Sequence, residues 1–148
     1  VRELNWFDNV EPRVHPWPGL TWMTTGLSCD DVAAAVEFYS SALSFVAIAE
    51  VPDDKGKLIF ARMRYRGTNF TLNSPEFDPS LKQPKPGDDS NFAFYVYVDD
   101  VRAVESRVKL AGGETLVPVA EQFWGDLKVR MRDPFGYVWD FAQPIQAK

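Results

Sequence analysis

Only one histidine and one cysteine occur in the 148 residues, and these two scarcities exclude more chemistry than any motif present. With His15 alone, a metal site of two or three imidazoles cannot be built within one chain. Catalysis of the Ser-His-Asp or Cys-His kind would have to pass through that single residue. His15 lies in Arg13-Val14-His15-Pro16-Trp17-Pro18, a proline-broken approach to the first strand. A structural or solvent-exposed role is expected for it, because a catalytic histidine is normally held on a rigid scaffold beside a partner. Cys29 alone excludes an internal disulfide and thiolate zinc sites, and suits a reducing compartment. No apolar run approaches the roughly 18 residues of a membrane span. Residues 1–4 show no apolar leader, so a cytoplasmic protein without a membrane partner is the expectation. Basic residues are also few: 16 Lys and Arg face 21 Asp and Glu, a formal charge of −5. That disfavours nucleic acid as a partner and mildly favours neutral or cationic ligands.

Apolar side chains are plentiful, at 45% of residues, and aromatics reach 14%. A single packed domain, or two small modules sharing a core, is therefore feasible without staples. The aromatics concentrate in residues 120–140, where Phe123, Trp124, Phe135, Tyr137 and Trp139 bracket two turn signals, Trp124-Gly125-Asp126 and Asp133-Pro134-Phe135-Gly136. Residues 1–19 carry Pro12, Pro16 and Pro18 and read as an irregular arm, with Trp6, Phe7 and Trp17 expected to pack on the body.

Hydrophobic periodicity places a strand over Leu20–Cys29 and a helix from an Asp30 or Asp31 cap to Leu43. Strands follow at Phe45–Val51, Lys57–Arg66 and Thr68–Asn73. Arg62, Arg64 and Arg66 alternate with Ala61, Met63 and Tyr65 and read as a solvated strand face. Residues 74–90 hold four prolines and Gly87 and read as a linker. The order then repeats, with a strand at Asn91–Val98 and a helix capped by Asp99 or Asp100 and ended by Gly112-Gly113. Strands at Thr115–Ala120, Leu127–Arg132 and Tyr137–Gln143 complete it. A single shift of 69 carries Asp30-Asp31-Val32 onto Asp99-Asp100-Val101, Leu27 onto Val96, Ala42 onto Ala111 and Gly67 onto Gly136. The expectation is an α+β fold of tandem βαβββ modules, 20–73 and 91–144, preceded by the arm and joined by the linker.

The duplicated unit resembles the vicinal oxygen chelate superfamily of glyoxalase I, extradiol dioxygenases and bleomycin-resistance proteins. Asp31-Val32…Glu37-Phe38-Tyr39 is similar to its first-helix signature, and Val98-Asp99-Asp100-Val101 to its second. Residues 122–139, from Gln122-Phe123-Trp124-Gly125-Asp126 through Arg132-Asp133-Pro134-Phe135-Gly136 to Trp139, resemble the bleomycin-resistance-like and PhnB-like branches. The resemblance implies that each module curls its strands into a half-barrel with its helix outside, and that two modules enclose a cavity. In metal-dependent members the ligands sit at four positions, which here read Thr24, Thr71, Ala93 and Asp140. One carboxylate, two neutral hydroxyls and an alanine make a poor divalent site, so no metal and no other cofactor is expected. Two departures stand out: Tyr137 where this branch often has His, and Leu127 where Arg often follows the turn.

Strand alternation then assigns the cavity lining as Trp22, Thr24, Asn69, Thr71, Asn73, Tyr95, Tyr97 and Asp140, with Phe123 and Trp124 as a lip. Cys29 falls on the helix side and reads as core. Asp140 is the candidate acid-base residue, unless a neighbour such as Arg130 or Arg64 holds it as an ion pair. Three functions fit. One is metal-independent binding of an aromatic or cationic compound, as bleomycin-resistance proteins sequester an antibiotic. Another is an isomerase, lyase or dioxygenase of glyoxalase type with an atypical site. The third is an interaction module whose aromatic segment serves a homodimer.

Overall fold

A computed structural model of the chain describes residues 2–13 and 16–145, so the expectation for His15 falls outside the described residues. The element order is β1 (Thr25–Ser28), α1 (Val32–Leu43), β2 (Val46–Pro52), β3 (Leu58–Tyr65), β4 (Thr68–Asn73), β5 (Phe94–Tyr97), α2 (Val101–Leu110), β6 (Glu114–Glu121), β7 (Asp126–Arg132) and β8 (Val138–Pro144). The fold is therefore α+β and reads βαβββ twice. Two four-stranded mixed sheets form, in the orders β1-β4-β3-β2 and β5-β8-β7-β6. The first strand of each module pairs parallel to the last, and all other pairs are antiparallel.

Local chemistry explains these boundaries. Asp31 caps α1 by accepting the Ala34 N–H at 3.0 Å, and Asp100 caps α2 by accepting that of Ala103 at 3.1 Å. Arg66 and Gly67, at φ 47° and 88°, make the two-residue hairpin between β3 and β4, whose positive φ values match strand twist. Gly113 lets α2 turn tightly onto β7. A Cβ there would lie 2.5 Å from Val108 Cγ1 and 2.8 Å from the Arg132 carbonyl oxygen.

Two expectations are corrected. The first strand is shorter than Leu20–Cys29, because only Thr25–Ser28 finds partners on β4. Residues 20–24 instead continue the arm, with the Trp22 indole donating to the Arg13 carbonyl at 3.1 Å and the Arg13 guanidinium stacked 5.0 Å over its ring. The arm's aromatics do not pack on the body: Trp6, Phe7 and Trp17 are 69%, 84% and 70% exposed. Around these aromatics its hydrogen bonds are local, such as Asp8 N–H to the Asn5 carbonyl and Leu20 N–H to the Trp17 carbonyl, and they bring no partner surface over the rings.

The modules join through the helix-side faces of their sheets. Trp139 stacks on Phe94 at 4.3 Å and meets Tyr39, Phe45 and Phe70 of the first module at 5.6, 5.7 and 5.9 Å. At the centre lies Asp133, from the Asp-Pro-Phe-Gly turn. Its Oδ2 accepts from the Tyr39 hydroxyl and from the Trp139 indole at 2.9 Å. Its Oδ1 accepts the backbone N–H groups of Phe135 and Tyr137 at 2.8 and 3.0 Å. The Tyr137 hydroxyl reaches across to β1, donating to the Ser28 carbonyl at 2.7 Å and accepting the Ser28 N–H at 2.9 Å. Arg107 of α2 closes the helix side by donating to the Ala42 carbonyl near the end of α1 at 3.0 Å.

Candidate functional site

Alternation along each strand leaves one sheet face against the helices and one open face. In the first module Leu27, Cys29, Ala61, Met63, Phe70 and Leu72 are buried on the helix side. Burial pushes the Cys29 thiol far above its ordinary pKa, with Asp133 and Asp30 adding to the effect, so this cysteine is an inert core residue. The open face carries Thr24, Gly26, Asn69, Thr71, Asn73, Arg62 and Arg64. A Cβ on Gly26 would meet Thr71 Oγ1 and Asn73 Nδ2, both at 3.4 Å, which fixes these three on one side. Arg62 lies opposite Thr71 and Arg64 opposite Asn69. Part of this face is covered by the chain itself. Arg64 donates to the Gly19 carbonyl of the arm at 2.5 Å, and Phe77 of the linker lies 5.0 Å from Phe60.

The second module's open face is a different surface. Tyr95 and Tyr97 of β5 both donate to Asp126 Oδ2, at 2.5 and 2.8 Å, and the Trp124 indole donates to the same oxygen at 3.0 Å. Trp124 also donates to the Tyr95 hydroxyl at 3.0 Å. Burial alone would raise the Asp126 carboxyl, but these three hydrogen bonds outweigh it and hold the group below its ordinary value. Burial first, then the bond to Asp126, pushes the Tyr95 phenol up. For Tyr97 the bond to Asp126 is the larger cause of a rise in the same direction. The ammonium of Lys128 lies 5.9 Å from the ring centres of both Tyr95 and Trp124. Asp140, almost fully buried, is held by Arg130 through two bonds of 2.7 and 2.9 Å, with Lys128 Nζ at 3.7 Å from its Oδ2.

Of the residues expected to line the site, the structure gathers Tyr95, Tyr97 and Trp124 around one carboxylate. Asp140 lies directly across from Tyr95 in the β5–β8 register. Thr24, Asn69 and Thr71 gather on the first module with Asn73. Trp22 is half-exposed and engaged with the arm, and Phe123 stands almost free at 88% exposure, edge-on to Trp124 at 5.0 Å. Asp126 escapes the sequence reading because it falls in the turn before the expected strand Leu127–Arg132, and Lys128, inside that strand, carries no signal beyond its charge. The strand starts one residue earlier, which adds Asp126 to the face that Lys128 and Arg130 share by alternation. An apolar cleft of about 390 Å³ lies at the module junction between β1 and β5, among Met23, Phe70, Phe94 and Trp139. Two of its polar groups are already committed: the Tyr65 hydroxyl donates to the Tyr97 carbonyl at 2.7 Å and the Trp139 indole to Asp133.

Residues 20–141 match the family described as Glyoxalase/Bleomycin resistance protein/Dioxygenase superfamily. The chain belongs to that superfamily. An uncharacterized protein of Mycobacterium bovis is 32% identical over 141 residues, covering 93% of this chain and 87% of its own. Among solved structures, TioX from Micromonospora sp. ML1 shares 21% identity at a TM-score of 0.65, over 82% of this chain and 97% of that one. The PhnB protein from Bacillus cereus shares 17% at a TM-score of 0.64, over 83% and 99%. At these identities the structural likenesses concern the fold.

A metal of the kind this superfamily implies does not fit the residues present. Of the four ligand positions, Ala93 offers no donor and Thr24 and Thr71 offer neutral hydroxyls. The single carboxylate, Asp140, is already chelated by Arg130. Among the described residues no group of three or more His, Cys, Asp or Glu side chains is placed to hold a metal ion. No described helix is long and apolar enough to cross a membrane.

Proposed function

We propose that the chain is a metal-independent small-molecule-binding protein that holds a planar aromatic ligand on the open face of its second module. One observation carries this reading. Tyr95, Tyr97 and Trp124 are 41%, 49% and 45% exposed, yet all three are fixed by hydrogen bonds to the single carboxylate of Asp126. Exposed aromatics ordinarily keep their rotamer freedom and lose it on binding; these have lost it beforehand, which favours stacking. Phe123, exposed beside Trp124, supplies a lip that can close on the guest. The place where a guest cation would sit over the rings is taken by Lys128, and Asp140 is matched by Arg130. The surface therefore suits an aromatic guest that is neutral or acidic better than a cationic one. Sequestration of an antibiotic is the form this reading takes by family likeness. A glyoxalase-like isomerase, lyase or dioxygenase using Asp140 as base would first have to free that carboxylate from two cations. A homodimer is proposed as well, on the strength of the uncovered arm aromatics, and sedimentation of the full chain tests it.

The test of binding is quenching of tryptophan emission by a panel of planar nitroaromatics, with Trp124→Phe in parallel. Saturable quenching that Trp124→Phe largely removes supports the reading. A panel that leaves emission unchanged overturns it.

A further inference from the structure

The duplication provides an internal control for charge. Arg62 lies opposite Thr71 on the first sheet, just as Arg130 lies opposite Asp140 on the second. Likewise Arg64 lies opposite Asn69 as Arg132 lies opposite Val138. The counterparts differ in one respect. Arg130 is paired with Asp140 at 2.7 Å and Arg132 with Glu114 at 3.5 Å. No carboxylate of the described residues lies within ion-pair distance of Arg62 or Arg64. Arg64 spends one nitrogen on the Gly19 carbonyl. Arg62 makes only long contacts from one nitrogen, to Thr24 Oγ1 at 3.4 Å and Asn69 Oδ1 at 3.5 Å. Both arginines are partly buried, so their charge is imperfectly compensated by solvent. The guanidinium of Arg62 thus retains free donors beside the hydroxyls of Thr24 and Thr71.

We infer that the open face of the first module is an oxyanion site, centred on Arg62 with Arg64, Thr24 and Thr71, for the carboxylate or phosphate group of a small acid. Arg62 takes two oxygens side by side, the geometry that its module counterpart already shows with Asp140. The bound acid supplies to the first module what Asp140 supplies to the second. This rests on the reading of the chain as a small-molecule binder and adds to it a second surface, separate from the aromatic one, that takes an acidic ligand. The overall negative charge of the chain does not oppose it, because the nearest fixed charges on this face are positive and the field there is local.

The experiment titrates the full chain with benzoate and with inorganic phosphate at low salt, by calorimetry. Wild type is compared with Arg62→Gln, Thr71→Asp and Arg66→Gln. Thr71→Asp gives Arg62 the internal partner that Arg130 has and so occupies the site from within, and an unchanged urea midpoint verifies that its fold is kept. Arg66→Gln removes the same formal charge from an exposed pair with Asp99 at the end of the strand. The expected result is saturable binding of at least one probe, weakened by about tenfold or more in Arg62→Gln and Thr71→Asp. Arg66→Gln retains it. Stronger binding of benzoate assigns the group as a carboxylate, and stronger binding of phosphate as a phosphoryl group. Binding of neither probe by wild type, or unchanged binding by Thr71→Asp, overturns the site. If the anions fail while a neutral nitroaromatic still quenches Trp124, the aromatic reading stands and only the oxyanion site is lost.

Discussion

Replacing Asp133 by Asn should loosen the clamp between the modules, and its effect follows from four contacts. Each carboxylate oxygen accepts two donors: Tyr39 hydroxyl and Trp139 indole on one, Phe135 and Tyr137 N–H on the other. A carboxamide offers one accepting oxygen, so in either orientation two buried donors face an NH₂ group. At about 1–3 kcal/mol for each unsatisfied buried group, the gross cost is about 2–6 kcal/mol. Removing a buried charge returns part of this, leaving a net loss of about 2–4 kcal/mol. That is a large share of the roughly 5–15 kcal/mol available to a domain. Urea denaturation at neutral pH measures it. The pH dependence gives a second check. Burial, the dominant influence, holds the Asp133 carboxyl above its ordinary value, and the hydrogen bonds from Tyr39, Trp139 and the turn offset this only partly. A raised folded-state pKa means that the folded chain binds the proton more tightly than the unfolded chain. The associated stability is present below the unfolded value and is lost as pH rises through the folded one. Lowering the pH from neutrality should therefore widen the gap between wild type and Asp133→Asn. A variant within about 0.5 kcal/mol of wild type, or a gap that narrows on acidification, would refute the clamp.

Other outcomes follow from the same geometry. Tyr137→Phe removes a hydroxyl that serves both backbone groups of Ser28, and should cost about 2–4 kcal/mol in the same denaturation assay. Cys29, buried with a raised thiol pKa, should react with a thiol reagent only after denaturant is added, and prompt reaction in the native protein would contradict its core placement. In an alkaline absorbance titration, Asp126→Asn should lower both tyrosine transitions, bringing Tyr97 nearer to its ordinary phenol value than Tyr95, because the bond to Asp126 is the larger cause for Tyr97 while burial continues to hold Tyr95 up. Phe123→Ser should leave stability within about 0.5 kcal/mol of wild type, because the side chain is almost free, while weakening the response to planar aromatics.

How far the sequence could be read depended on where the physics is local. Helix caps at Asp31 and Asp100 are set by residues next to them, and both helices start one residue after their caps. The shift of 69 carries β1 onto β5 without error, because a shared module repeats its pattern. The site was less legible. Alternation placed Tyr95, Tyr97 and Asp140 on one face, but the hub that orders the aromatics, Asp126, sits at a strand start that pattern alone defines only to within a residue. The arginine stripe of β3 read as solvent-facing, since alternation gives parity and not what lies opposite; pairing with Thr71 and Asn69 puts Arg62 and Arg64 on the open face. The exposure of Trp6, Phe7 and Trp17 could not be read at all, because apolar character says what a residue would gain by burial and not whether a partner surface is within reach.

In the proposed function the second module's open face, and not the junction cleft, receives an aromatic guest. The most direct measurement is a titration with 2-naphthol followed through the indole N–H resonances of the isotopically labelled protein. The expected result is a saturable shift of the Trp124 signal, whose N–H lies between Tyr95 and Asp126, while that of Trp139, bonded to Asp133 at the core, stays in place. Movement of the Trp139 signal with Trp124 unmoved, or no saturable shift of either, would contradict it.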